Sequence, residues 1–180
     1  MYDYRKNNSE LDENFIVSTI FQLLNAVNFL HSKGYVHRNI CAENTSVFND
    51  GRLVKITSFS RAQKSTNGKF PAYFSDVVQA PEYLSPRVVS GLPYRGILQD
   101  TWAVGVVLIF LVTQRYLWDL ALNKTETAFK IFRTKECPFN SVEDKSLKYL
   151  IVKLLEVDDA RMLSVSEIVD NWMEVKTINK

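Results

Sequence analysis

The chain has 180 residues, 46% of them hydrophobic and 12% aromatic, which is enough to bury one sizeable core and excludes a disordered polymer. Lys and Arg number 22 against 20 Asp and Glu, and a formal net charge of +2 excludes a dominant electrostatic attraction to nucleic acid or an anionic membrane. Two cysteines, Cys41 and Cys137, make neither a disulfide framework nor a zinc cluster, and the opening Met1-Tyr2-Asp3-Tyr4-Arg5-Lys6 has no apolar signal core, so a reducing intracellular setting, cytoplasmic or nuclear, is expected.

From Asn14 to Ser32, apolar side chains at Phe15, Ile16, Ile20, Leu23, Leu24, Val27 and Leu30 recur at three- and four-residue steps, which predicts an amphipathic helix stopped by Gly34. Val47-Phe48 and Leu53-Val54-Lys55-Ile56 flank Asn49-Asp50-Gly51 and predict a short β-hairpin. A polar loop is expected from Gln63 to Asp76. Pro81, Pro86, Gly91, Pro93 and Gly96 punctuate the chain before a buried helix expected to begin near Asp100. Its apolar run, Trp102 to Val112, is too short to span a hydrocarbon layer, which takes about 20 residues. Farther on, Phe129 to Phe132 reads as a helix end, Leu147 to Leu155 as a helix and Val165 to Met173 as a last amphipathic piece. With no internal repeat, low-complexity tract or linker, residues 1–180 are expected to form one domain.

The motifs fall in a telling order. A helix leads into Tyr35-Val36-His37-Arg38-Asn39-Ile40-Cys41-Ala42-Glu43-Asn44, then comes the hairpin ending in Lys55-Ile56-Thr57-Ser58-Phe59-Ser60. Ala80-Pro81-Glu82 follows, and then Asp100-Thr101-Trp102-Ala103-Val104-Gly105. This series resembles the catalytic loop (His-Arg-Asp-x-x-x-x-Asn), the metal loop (Asp-Phe-Gly), Ala-Pro-Glu and Asp-x-Trp-x-x-Gly of the protein kinase superfamily. The tail around Leu117-Trp118-Asp119 and Asp159-Ala160-Arg161 leans toward the serine/threonine branch and resembles the checkpoint-kinase group. The resemblance implies a mainly α fold with a short β-hairpin, that is, a kinase-like C-terminal lobe. No Gly-rich phosphate loop, Val-Ala-Ile-Lys strand or partner glutamate precedes residue 14, so an N-terminal β lobe is not expected.

At the positions this resemblance makes catalytic, His37, Arg38, Asn39 and Asn44, the chemistry is missing. An amide at Asn39 stands where a carboxylate would orient the substrate hydroxyl and accept its proton. Ser58 stands where a carboxylate would hold Mg²⁺, which favours hard, charged oxygens. Ser60 replaces the metal-loop glycine, and Cys41 the lysine two residues beyond the catalytic position. Asn44 keeps the identity of the second metal ligand but lacks a charged companion, and residues that act as one catalytic unit fail together. His37 and Arg38 therefore read first as residues that hold a loop.

The resemblance also gives Arg38 a phosphorylated partner segment, here 61–79, with Ser65, Thr66, Tyr73 and Ser75 as acceptors. It pairs Glu82 with a buried arginine near the C-terminus; Arg161 is the candidate, although an ungapped comparison puts Met162 at that place. Asp100 is expected to tie the catalytic loop to the buried helix, with Trp102 and Gly105 in the core.

The expected function is a noncatalytic, pseudokinase-like interaction or regulatory module. Its partner would be another protein, a kinase or kinase lobe being the first choice, with no nucleic acid, no membrane and no cofactor. Ile40, Val47 and Ile56 are expected to line or underlie an exposed apolar face. The alternatives are a divergent serine/threonine kinase using Mg-ATP and a non-functional duplicated-gene remnant. A rescuing carboxylate would have to be Glu43, which active kinases also keep, or Asp50 in the hairpin turn.

Overall fold

Residues 1–8, 10–49, 51–64, 73–119, 121 and 145–178 are described by the structure, a computed structural model. A short helix α1 (Tyr2–Asn7) precedes the long helix α2 (Glu13–Ser32), and β1 (Tyr35–Val36), β2 (Thr45–Phe48), β3 (Leu53–Ile56) and β4 (Gln63–Lys64) follow. Beyond them lie β5 (Tyr73–Phe74), α3 (Pro86–Val89), β6 (Tyr94–Arg95), α4 (Gly96–Thr113), α5 (Lys145–Leu154) and α6 (Val165–Ile178). The strands form small antiparallel pairs, β1 with β4, β2 with β3 and β5 with β6, so helices supply the core.

Helix α2 forms where the apolar periodicity places it. Asp12 caps its first turn by accepting from the Asn14 N–H at 3.1 Å. Ile16, Ile20, Leu23, Leu24 and Val27 are buried, and Gly34 at φ +79° ends the run in the left-handed region that glycine enters without strain. The hairpin has the expected core, with Thr45 opposite Ile56 and Phe48 opposite Leu53, and begins two residues earlier than the apolar pattern suggests. Gly51, at φ +89°, brings the turn against the Phe15 ring.

Helix α4 is the centre of the molecule. It is buried from Gly96 through Leu111 and packs against both α2 and α5. A helix apolar on every side belongs inside a core. It starts at Gly96, one turn ahead of Asp100, because Ile97 and Leu98 also pack inward. Its C-terminal end is held by a residue whose role has no local sequence signal. The buried Arg5 donates from Nε to the Leu111 carbonyl at 2.6 Å and from Nη2 to that of Val112 at 3.4 Å. A cation there satisfies the unpaired last-turn carbonyls and the negative end of the helix dipole.

The loop expected from Gln63 to Asp76 is partly strand. Gln63 and Lys64 pair with Val36 and Tyr35, and Tyr73 and Phe74 pair with Arg95 and Tyr94. Two-residue strands carry no readable alternation, so only long-range pairing creates them. The expected helix end at 129–132, Cys137, Asp50, Ser65 and Thr66 lie outside the described residues.

Candidate functional site

The segment from His37 to Asn44 hangs on one buried carboxylate. Asp100, fully buried in α4, accepts from the His37 N–H at Oδ2 and from the Arg38 N–H at Oδ1, both at 2.8 Å, and lies 2.9 Å from His31 Nε2. Arg38 has φ +65°, a backbone conformation that costs a non-glycine residue energy, and the Asp100 contact holds it there. The tie expected between loop and buried helix is therefore present in atomic detail.

His37 is buried. Its Nε2 lies 3.0 Å from the Thr57 carbonyl and its Nδ1 accepts from the Asn39 N–H at 3.3 Å, so Nε2 carries the proton. Burial lowers its pKa against the opposing pull of Asp100, leaving a neutral ring at pH 7. Phe59 packs edge-on against that ring at 5.0 Å.

Asn39, Asn44 and Ser58 come together around the same turn. Asn44 Nδ2 donates to the Asn39 carbonyl at 3.0 Å, while the Asn44 carbonyl accepts from the Thr57 N–H at 2.9 Å and from Thr57 Oγ1 at 3.0 Å. Ser58, at φ +61°, is exposed and opens the turn Phe59–Arg61. The family positions for a proton acceptor and a metal thus hold two amides and a hydroxyl, neutral groups that fit Mg²⁺ poorly. Among the described residues, no three His, Cys, Asp or Glu side chains converge as a metal-binding group.

The neighbouring carboxylate is occupied elsewhere. Glu43 lies against two tyrosine hydroxyls, Tyr116 at 3.1 Å and Tyr83 at 3.3 Å, which are themselves 2.8 Å apart. Burial raises both phenol pKa values, so both hydroxyls keep their protons. Cys41 is buried as well, its thiol pushed up to about 11 chiefly by desolvation, which makes it a poor nucleophile.

Arg38 has its own clasp. Its side chain is 2% exposed and its Nη2 meets Asp76 Oδ1 at 2.5 Å, while the guanidinium lies 4.2 Å from the Phe74 ring centroid. Tyr94 completes the clasp by donating to the Asp76 carbonyl at 2.9 Å. The hydrogen bond from Arg38 holds the Asp76 carboxyl below its usual range. Burial works against the Arg38 charge, and the bonds to Asp76 and Tyr94 outweigh it, so the arginine pKa is raised. A carboxylate of the chain itself therefore meets the arginine for which the resemblance implied a phosphate. Ser75 and Tyr73 are exposed beside it.

A relay of buried amides fixes the next stretch. Gln79 donates to the Ile40 carbonyl, Gln99 donates to Gln79 Oε1 at 2.9 Å and to the Tyr83 carbonyl at 2.8 Å, and the Ser85 N–H donates to Gln99 Oε1 at 3.0 Å. Sequence reasoning passed over Gln79, Gln99, Asp76 and Tyr94. The one available signal was a glutamine, Gln99, in the first turn of a helix that is otherwise mostly apolar.

One expected contact is corrected. Arg161 is not the buried partner of Glu82; its side chain is 71% exposed and pairs with Asp158 at 3.1 Å and Glu156 at 3.6 Å. The adjacent Met162 is the buried residue, as the ungapped comparison has it, so an apolar side chain occupies the inward position. Glu82 is anchored through its backbone instead, its carbonyl accepting from Trp118 Nε1 at 3.2 Å. Trp118 leans on Trp102, whose ring centroid is 6.0 Å away, and Gly105 lets α5 approach α4 closely.

A mainly helical lobe whose loop, hairpin and central helix are joined at Asp100 defines the C-terminal part of a protein kinase fold. The sequence matches the family Protein kinase domain over residues 1–173, and the chain belongs to that family. It is 36% identical over 175 residues to human NUAK family SNF1-like kinase 1, covering 96% of this chain and 25% of that protein. It is 30% identical over 160 residues to the serine/threonine-protein kinase GIN4 of Saccharomyces cerevisiae, covering 88% of this chain and 14% of that one. For the serine/threonine-protein kinase Nek8 of Danio rerio the identity is 30% over 167 residues, covering 93% of this chain and 23% of the relative. The chain thus spans a quarter or less of each of these relatives.

Proposed function

We propose that this chain is a noncatalytic, pseudokinase-like module that works inside the cell by binding another protein, a kinase or kinase lobe being the first candidate. The observation that carries this reading is the neutral trio Asn39, Asn44 and Ser58 at the turn where phosphoryl transfer requires carboxylates. Binding of Mg-ATP is not part of the proposal, because no charged oxygen stands at either metal position. The relatives are named kinases, two of them serine/threonine-protein kinases, which supports phosphotransfer as the second reading.

The binding face proposed is the outer side of β2–β3 with the turn after it. Phe48 and Leu53 are cross-strand partners and are 46% and 37% exposed, and Phe59 is 52% exposed. Ile40 is wholly buried, while Val47 and Ile56 are half-buried against the core, so these three do not line the face. Exposed apolar side chains such as the Phe48–Leu53 pair favour a protein partner over water.

The test is site-specific photo-crosslinking in cells, with a benzophenone amino acid at position 48 or 59 and, as control, at 152, where Val152 is also exposed. A discrete adduct is expected from 48 and 59 and not from 152. Equal labelling at all three positions, or none at 48 and 59, would contradict the proposed face.

A further inference from the structure

The charge of this chain is close to balanced, yet its acids avoid part of the sequence. Residues 14–42 and 51–75 contain no Asp or Glu, while the second stretch alone carries Arg52, Lys55, Arg61, Lys64 and Lys69. The fold joins the two acid-free stretches where β1 pairs with β4, directly after the last turn of α2.

At that junction two aromatic rings stand in solvent beneath ammonium groups. Phe29 is 65% exposed with Lys33 Nζ 5.3 Å from its ring centroid, and Tyr35 is 38% exposed with Lys64 Nζ at 5.7 Å. Lys33 is one helical turn from Phe29 and Tyr35 faces Lys64 across the strand pair, so the arrangement is set by backbone register.

We infer that this corner, formed by the end of α2 with β1 and β4, is a second binding surface that takes an acidic protein segment carrying aromatic or leucine side chains. Carboxylates meet Lys33 and Lys64, and the apolar side chains pack against the free edges of Phe29 and Tyr35. The lysines already lie over the ring faces, so the rings are not free to stack with bases, and two cations are few for tracking a phosphate backbone. The surface is separate from the β2–β3 face, and either can fail without the other.

The test uses fluorescence anisotropy with the full chain and three labelled probes. One is a twelve-residue peptide alternating Glu with Phe and Leu, the second has Gln for every Glu, and the third is a single-stranded thymidine oligonucleotide. The acidic peptide is expected to bind at least tenfold more tightly than the Gln peptide, and added salt should weaken it. The double variant Lys33→Glu, Lys64→Glu should lose at least tenfold in affinity for it, and Phe29→Ser severalfold, with melting temperatures close to that of the parent chain. Equal binding of the Glu and Gln peptides, an affinity unchanged in the double variant, or tighter binding of the oligonucleotide would overturn the inference. Should the double variant fail to fold, Lys33→Gln and Lys64→Gln, made singly, decide the same question.

Discussion

Replacing Asp100 by alanine is expected to destabilise the fold by about 3 to 5 kcal/mol, because each buried group left without its partner costs about 1 to 3 kcal/mol. The groups concerned are the N–H donors of His37 and Arg38, both 2.8 Å from the carboxylate, and the His31 ring. Thermal unfolding checks the prediction, since a chain of this size loses roughly 2 to 4 °C per kcal/mol. Asp100→Asn keeps the shape and one acceptor oxygen, so it should fall between alanine and the parent. The loss should be local before it is global: with Arg38 released from φ +65°, protease cleavage within 37–44 is expected in Asp100→Asn below its melting temperature. An alanine variant as stable as the parent would mean that water reaches the loop and that Asp100 does not organise it.

Gly105→Val is the second large effect expected. A Cβ at Gly105 would sit 2.7 Å from Leu155 Cγ and Cδ2 and 2.9 Å from Leu154 Cβ, closer than carbon atoms approach. Leu155 can shift its side-chain end, but Leu154 Cβ is fixed to the backbone, so α5 has to move away from α4. Overpacking of a tight core costs about 1 to 3 kcal/mol, and valine brings two further methyl groups to the clash, which places it near the upper end. Gly105→Ala brings the same Cβ against Leu154 and Leu155 but no further methyl groups and recovers up to about 1 kcal/mol of helix propensity, so it should destabilise less than valine. Urea unfolding would show a lower midpoint with an unchanged slope for valine. A valine variant with the parent midpoint would show that α4 and α5 are not packed this closely.

The helices α2 and α4 and the hairpin were legible because their apolar residues repeat with the period of the element, or run unbroken where the element is buried on all sides. The joining role of Asp100 was legible only through resemblance, since nothing local to Asp100-Thr101-Trp102 says which backbone it will meet. Helix α1 was missed because six residues give too few turns to show a period; it is placed by Tyr2 stacking on Phe110 and by Arg5 reaching the end of α4. Strands β5 and β6 were missed for the same reason, and with them the Arg38–Asp76 clasp. Arg161 misled because charge was weighed above register. One residue along, Met162 takes the inward position, and Arg161 stays with Glu156 and Asp158 at the surface.

In the candidate site the sequence gives the residues but not their contacts. Asn39 and Asn44 are bonded to each other, and Glu43 is drawn to Tyr83 and Tyr116, partners 40 and 73 residues away in the chain. The Glu43 contacts have no local signature, and with the Asn39–Asn44 bond they leave a turn built of amides, a hydroxyl and a neutral imidazole.

The most direct test of a noncatalytic module is thermal unfolding of the whole chain while Mg-ATP is titrated. A ligand at a hundred times its dissociation constant stabilises the folded state by about 2.7 kcal/mol, a rise of roughly 5 to 10 °C in a chain of this length. The predicted result is a cooperative transition whose midpoint does not move with nucleotide. A saturable rise of that size would contradict the account and point to phosphotransfer as the function.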